Sequence, residues 1–231
     1  MNTIPPIKIA PAIMDADLAH LADEIAALEV AGVDLLHVDI MDGHYVPSMV
    51  GGRRVVAAIK RASSIPVDVH LMVTNPDQAV EWFIESGADS LLFHPEVADD
   101  AEGVIDRIHA AGRRAGVALN PTMEVDVAEG LYSMVECVMA MTVEPGRSGQ
   151  SFMEEGCHKI PELRRLCDPA TDIYVDGGIG PDTAPIAVSY GANVLAAASA
   201  FFASEKPLVE VAEGLRQGAE EVRQNTSKQK Y

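Results

Sequence analysis

Short apolar runs alternate with amphipathic stretches from one end of the chain to the other. The runs span three to eight residues, the length of a strand, and most are bounded by glycine, proline or acidic residues. Lys8–Ile13 predicts the first strand, and Asp15–Ala31 a helix with Asp15 or Asp17 as its N-cap and Gly32 as its stop. Val33–Ile40 predicts the second strand, Met41–Gly52 a loop and Arg53–Arg61 a helix. Pro66–Leu71 is the third strand. The next helix starts at Asn75-Pro76, with proline in its first turn, and ends at Gly87. Ser90–His94, Ala115–Leu119 and Cys137–Met141 follow as strands, separated by a helix at Asp99–Ala111 and a short helix from Glu124. A glycine-bearing loop at Thr142–Ser151 leads to a helix at Glu154–Leu166 and a strand at Ile173–Val175. A helix near Asp182–Ser189, a strand at Asn193–Ala197 and a helix near Pro207–Arg223 complete the pattern. The polar tail Gln224–Tyr231 is expected to fray.

The phrases A-G-V-D at Ala31, S-G-A-D at Ser86 and Y-G-A-N at Tyr190 each mark a helix ending at glycine just before an apolar strand. No composition shift marks a linker. Eight strand–helix units in 231 residues favour a closed (β/α)8 TIM barrel forming one domain over residues 1–231. An open doubly wound sheet is the alternative, and the absence of G-x-G-x-x-G after the first strand weakens it.

In such a barrel, chemistry gathers at the C-terminal ends of the strands. Side chains two apart on a strand share a face, so His37, Asp39 and Met41 project one way while Val38 and Ile40 project the other. A carboxylate and an imidazole in an apolar strand are costly to bury without partners. A satisfied His–Asp hydrogen bond in a core is one reading of His37 and Asp39, and half of a metal site is the other. The third strand adds His70 and Met72 on one face, and the seventh ends in Asp176-Gly177-Gly178. Two imidazoles and two carboxylates at one rim form a nitrogen/oxygen donor set suited to zinc or a similar divalent ion.

The net charge of −18 argues against nucleic acid or an anionic membrane as partner. An anionic substrate must then be held locally, by backbone amides or a metal. Cys137, Cys157 and Cys167 share no metal-ligand spacing and read as free thiols of a reducing compartment. The N-terminus shows no signal-peptide pattern and no apolar run is long enough to span a membrane, so a cytoplasmic protein is expected.

Five motifs then carry a resemblance. They are H-V-D-I-M-D-G-H-Y-V-P at His37–Pro47, D-V-H-L-M at Asp68–Met72, N-P at Asn120-Pro121, V-E-P-G-x-x-G-Q-S-F at Val143–Phe152 and V-D-G-G-I at Val175–Ile179. Together they resemble the ribulose-phosphate 3-epimerase family, in order and over roughly residues 8 to 203. The resemblance implies a ribulose-phosphate-binding barrel and a place in pentose phosphate metabolism. It implies one divalent ion, usually zinc (Fe2+, Mn2+ or Co2+ being alternatives), held by His37, Asp39, His70 and Asp176. Asp39 and Asp176 would face opposite sides of a bound ketose phosphate, one removing the C3 proton and the other returning a proton to the far face. Inversion by such a transfer needs two proton carriers, and the oxyanion formed needs stabilisation that a divalent ion supplies.

The resemblance places the phosphate against backbone amides of Gly146, Arg147, Ser148 and Gly149, of Gly177 and Gly178, and of Ala198 and Ser199. Met41, Met72 and Met141 match methionines lining the family's active-site mouth, and Met14 adds to them; core filling is the alternative for each. It implies a homo-oligomer, a dimer or a hexamer. The chain departs from the family where substrate is read. Ala12 stands where serine is usual, Arg147 where phenylalanine is common, Ser148 for glycine and Ala198 for glycine. D-Ribulose 5-phosphate to D-xylulose 5-phosphate is the leading reaction. The same chemistry on allulose 6-phosphate or a tetrulose phosphate, a metal-dependent aldolase, and a non-catalytic sugar-phosphate binder are the alternatives.

Overall fold

The computed structural model describes residues 5–228, with side chains described as far as Asn225. The strands are β1 (Lys8–Pro11), β2 (Leu36–Asp42), β3 (Met49–Val50), β4 (Val67–Met72), β5 (Ser90–Phe93), β6 (Arg114–Leu119), β7 (Cys137–Met141), β8 (Asp172–Asp176) and β9 (Val194–Ala197). The α-helices are α1 (Leu21–Val30), α2 (Arg53–Ala62), α3 (Pro76–Glu85), α4 (Ala101–Ala110), α5 (Ile160–Leu166), α6 (Ala184–Tyr190), α7 (Ser199–Phe202) and α8 (Leu208–Lys228).

The sheet runs β1-β9-β8-β7-β6-β5-β4-β2-β3, parallel except for the short antiparallel β3. Ala12 bridges to His37 in parallel, and the amides of Asp34 and Leu35 donate to Ile9 O at 2.9 and 3.3 Å. These contacts join β1 to β2 and close eight parallel strands into a barrel. The open-sheet alternative is thereby excluded.

Alternation along the strands sorts the side chains into two layers. Leu36, Val38 and Ile40 of β2 and Val67, Val69 and Leu71 of β4 face outward into the larger apolar core beneath the helices. Ala10, Leu92, Ala118, Cys137, Met139, Tyr174 and Val194 fill the barrel itself. Burying each large aliphatic side chain contributes about 1.5–3 kcal/mol. The three cysteines are buried free thiols, and no helix among the described residues is long and apolar enough to cross a membrane.

Several boundaries differ from the sequence expectation. The helix expected over Asp15–Ala31 is split into 3-10 turns at Ile13–Asp15 and Leu18–His20, with α1 starting only at Leu21. Asp17 caps the second turn by accepting from Ala19 N–H at 2.9 Å, a local bond that competes with a continuous helix. The second strand starts at Leu36 rather than Val33, because Asp34 turns to accept from Ile9 N–H at 2.8 Å. Pro161 lies in the first turn of α5, so Glu154–Lys159 winds as 3-10 helix and the α-helix begins at Ile160. After β6, the short helix expected from Glu124 is one 3-10 turn, Val125–Ala128. The elements β3 and α7 are too short to leave a periodic signal and were not expected. The last helix continues to Lys228 where the tail was expected to fray, and Gln229 to Tyr231 lie outside the described residues.

The N-terminal end of the barrel is closed by a polar knot around Asp172, whose side chain is 2% exposed. It accepts from Lys8 Nζ and Arg114 Nη2 at 2.6 Å each, and from Asn193 Nδ2 at 2.8 Å. Burial works against the charged carboxylate, and these donors overcome it, leaving its pKa below the ordinary value. Asp172→Ala leaves the half-buried Lys8 and Arg114 without their shared acceptor and is expected to lower the unfolding free energy by about 2 kcal/mol, measured by chemical denaturation. Because the folded pKa lies below the unfolded value of about 3.9, this contribution is complete above roughly pH 4 and fades as pH falls further. The acid limb of the wild-type stability curve should therefore be steeper than that of Asp172→Asn.

Candidate metal and acid–base centre

Parallel register builds the centre in layers. On the inward faces of β2 and β4, His37 pairs with Asp68, Asp39 with His70, and Met41 with Met72. Asp176 ends β8, opposite Met141 on one side and Ala196 on the other. Donor atoms from His37, Asp39, His70 and Asp176 all lie within 4.8 Å of one another. His70 Nδ1 is 3.2 Å from Asp39 Oδ1 and 3.9 Å from Asp176 Oδ2. His37 Nε2 is 3.3 Å from Asp39 Oδ1, yet makes no hydrogen bond although it is fully buried.

The electrostatics follow from burial and from neighbours. Burial opposes a charged His37, but Asp39 and then Asp68 overcome it and raise its pKa well above the histidine norm. His70 is lowered, chiefly by burial. Asp39 is held below the usual carboxylate range by His37 and His70 in spite of its burial. Asp176 is pushed up to about 6, by burial first and the Asp39 charge second. Two nearby carboxylates thus differ in proton affinity, the condition under which one serves as base and its neighbour as acid.

A buried imidazole nitrogen without a hydrogen-bond partner and two carboxylates converging beside it fit a divalent cation. Each imidazole is also fixed from behind, as metal-binding histidines commonly are. Asp68 Oδ2 is 2.7 Å from His37 Nδ1. Its other oxygen accepts from Ser90 Oγ and, at 3.4 Å, from Tyr174 OH. His70 Nε2 meets His94 Nε2 at 2.9 Å.

Above this floor lies a cavity of about 430 Å³. Asp39 and Asp176 reach into it, while His37 and His70 stay fully buried behind. Met14, Met41, Met72 and Met141 all line it. So do Gly146, Arg147, Ser148 and Gly149, together with Gly177, Gly178, Ala198 and Ser199. The structure therefore brings every side chain and loop expected at the site to one cavity or its floor. Gly178 has φ +65°, and a Cβ there would come within 2.7 Å of Phe152 N, so glycine is needed where these two loops touch.

The sequence reading missed Asp15, Ser48, Val143 and Gln150 among the lining residues. It also passed over Asp68 and His94 as partners of the imidazoles. Asp68 was legible in principle, two residues before His70 on the same strand face.

A closed (β/α)8 barrel with paired carboxylates and imidazoles at the C-terminal strand ends is a barrel of the enzyme kind with a candidate acid–base site. Residues 8–202 match the model of the ribulose-phosphate 3 epimerase family, and the chain belongs to that family and is an epimerase. It is 40% identical over 200 residues to ribulose-phosphate 3-epimerase of Bacillus subtilis (strain 168), covering 85% of this chain and 92% of that one. It is 44% identical over 202 residues to the Methanocaldococcus jannaschii enzyme of the same name, covering 86% of each. The cytoplasmic isoform from Oryza sativa subsp. japonica is 42% identical over 217 residues, covering 92% of this chain and 94% of its own. Among solved structures, 3-hexulose-6-phosphate synthase from Salmonella typhimurium superposes with a TM-score of 0.70 at 15% identity, covering 94% of this chain and all of that one. That likeness concerns the fold.

Asp68→Ala removes the acceptor behind His37 and leaves a buried ring nitrogen and Ser90 Oγ without their partner. It is expected to weaken Zn2+ binding by about 10- to 100-fold, measured by competition with a chromophoric chelator.

Proposed function

We propose that this chain inverts C3 of a ketose phosphate, interconverting D-ribulose 5-phosphate and D-xylulose 5-phosphate as a cytoplasmic, single-domain homo-oligomer, either dimer or hexamer. The observation that carries the reading is the convergence of Asp39 and Asp176 with two imidazoles at the floor of one cavity. His37 through Nε2, Asp39, His70 through Nδ1 and Asp176 would hold one divalent ion, Zn2+ in the first instance, with Fe2+, Mn2+ or Co2+ as alternatives. Such an ion, when bound, supplies Lewis-acid stabilisation of the negative charge that develops on the substrate oxygens.

The remaining work falls to the chain itself. Asp39 comes from β2 and Asp176 from β8, strands separated by β1 and β9, so the two carboxylates enter from different sides of the floor. One accepts the C3 proton and the other delivers a proton to the opposite face, which inverts the centre without net change in protonation. Met14, Met41, Met72 and Met141 keep that step dry. Low polarity protects a carbanion-like intermediate from stray protonation and strengthens every charge interaction around it. The amides of the glycine-bearing loops at 146–149 and 177–178, with Ala198 and Ser199, seat the phosphate.

A second reading keeps the chemistry and changes the sugar. Ala12, Arg147, Ser148 and Ala198 all line the cavity, and Arg147 is the one cation among its lining residues. These positions read chain length and phosphate position, so allulose 6-phosphate or a tetrulose phosphate is the competing substrate. Side-by-side kcat/KM values on the three sugars decide between the readings.

Asp39→Asn and Asp176→Asn are each expected to lower kcat by about a thousandfold. Wild-type enzyme in deuterium oxide should place solvent deuterium at C3 without cleaving a carbon–carbon bond. Near-normal turnover in either variant overturns the two-carrier assignment, and cleavage products would identify an aldolase.

A further inference from the structure

His94 follows β5, outside the four-residue cluster, and is fully buried without reaching the cavity. Its Nε2 lies 2.9 Å from His70 Nε2. Two ring nitrogens approach this closely only with one proton between them, one donating and the other accepting. The other nitrogen of His70, Nδ1, points toward Asp39 and Asp176. It can give a lone pair to a cation only when it is bare, which puts the His70 proton on Nε2, donating to His94. His94 then carries its own proton on Nδ1. The carboxylate facing that nitrogen is Glu96, with Oε1 at 3.5 Å, long for a hydrogen bond but of the right sign.

The opposite arrangement is penalised at its far end. If His70 donates from Nδ1 to Asp39, its Nε2 must accept from His94, and His94 Nδ1 is left bare. A lone pair then faces the Glu96 carboxylate, and two regions of negative charge density repel most strongly where burial lowers the dielectric. Glu96 cannot easily turn away. It accepts from Tyr45 OH at 2.7 Å and Asn120 Nδ2 at 3.1 Å. The Tyr45 ring also packs on His94 with centroids 4.8 Å apart.

We propose that His94, whose Nδ1 faces a Glu96 carboxylate fixed by Tyr45 and Asn120, is the positioning residue that selects the His70 tautomer whose Nδ1 lone pair faces the cation cluster. His37 needs no such intermediary, since Asp68 meets it directly. The proposal rests on the reading of the cluster as a cation site. Its signature is a split between the two imidazoles: loss of His94 disturbs the His70 ring and leaves the His37–Asp68 pair unchanged.

The test uses wild type, His94→Leu and His94→Gln, each stripped with chelator and titrated with Zn2+ against a chromophoric competitor. Ring 15N spectra of His37 and His70 are recorded on the stripped and zinc-loaded proteins. His94→Leu should raise the zinc Kd by about 10- to 100-fold, and His94→Gln, whose amide oxygen can accept from His70 Nε2–H, should stay within about threefold of wild type. The stripped wild type should already carry its His70 proton on Nε2, and in the zinc-loaded proteins that proton should exchange slowly in wild type and fast in His94→Leu. The stripped leucine variant should move the His70 proton toward Nδ1, with the His37 signals unchanged. Equal zinc affinity and an unchanged His70 tautomer in His94→Leu would overturn the role of His94 alone. Failure of wild type itself to bind zinc would overturn the cation cluster and this proposal with it. Should the leucine variant fail to fold, a zinc-free wild type carrying the His70 proton on Nδ1 sinks the proposal without it.

Discussion

Everything at the mouth of this barrel depends on the register between β2 and β4. Parallel pairing sets His37 beside Asp68 and Asp39 beside His70, so each imidazole receives a carboxylate neighbour from the next strand. A slip of one residue would turn all of these groups outward into the aliphatic layer under the helices. The aliphatic residues between them, Val38, Ile40, Val69 and Leu71, are fully or almost fully buried and resist that slip. The outer core thus holds the inner chemistry in place. Buried charge is tolerated because each group is answered by another. Asp68 is answered by His37 and Ser90, and His70 by Asp39 and His94.

That same alternation explains what the sequence disclosed. Period-two strands with glycine-terminated helices are local features, and local features survive reading one residue at a time. Strand-face parity alone placed His37, Asp39 and Met41 together, and the strand ends brought in His70 and Asp176. Asp68 and His94 were overlooked for a different reason. An acidic residue below a histidine on a strand, and a histidine before a proline, look like ordinary core or turn residues until a second strand is set beside them. Their partners are 31 and 24 residues away in sequence, so only the closed barrel reveals them. The helix expected at Asp15–Ala31 kept its later turns as α1 and lost its first ones to competition. Asp17 favours a local bond to Ala19 N–H, and the apolar periodicity carried no sign of it.

The two ends of the barrel handle charge in opposite ways. At the N-terminal end Asp172 is saturated by Lys8, Arg114 and Asn193, and nothing is left to react. At the C-terminal end His37 Nε2 is buried and unsatisfied, and Asp176 is pushed up to about 6. Both are departures from the rule that buried polar groups find partners. Both groups stand on the floor of the one cavity described above, where the proposed cation would sit.

The whole-chain charge of −18 sharpens that point. A sugar phosphate approaching this protein meets an unfavourable field, and Asp15, Asp39 and Asp176 line the cavity it must enter. Favourable terms must therefore be concentrated within a few ångströms of the anion, where the pairwise interaction is strongest and screening by salt is least. Backbone amides at the glycine loops would supply part of this on the proposed reading, and a cation on the floor would reverse the local sign there. Arg147, on the loop after β7, adds a positive charge at the rim where many relatives of this chain are expected to be apolar. On the proposed reading, Arg147 bears on which anion is held and leaves Asp39 and Asp176 untouched, so substrate choice and reaction type would fall to separate parts of one cavity.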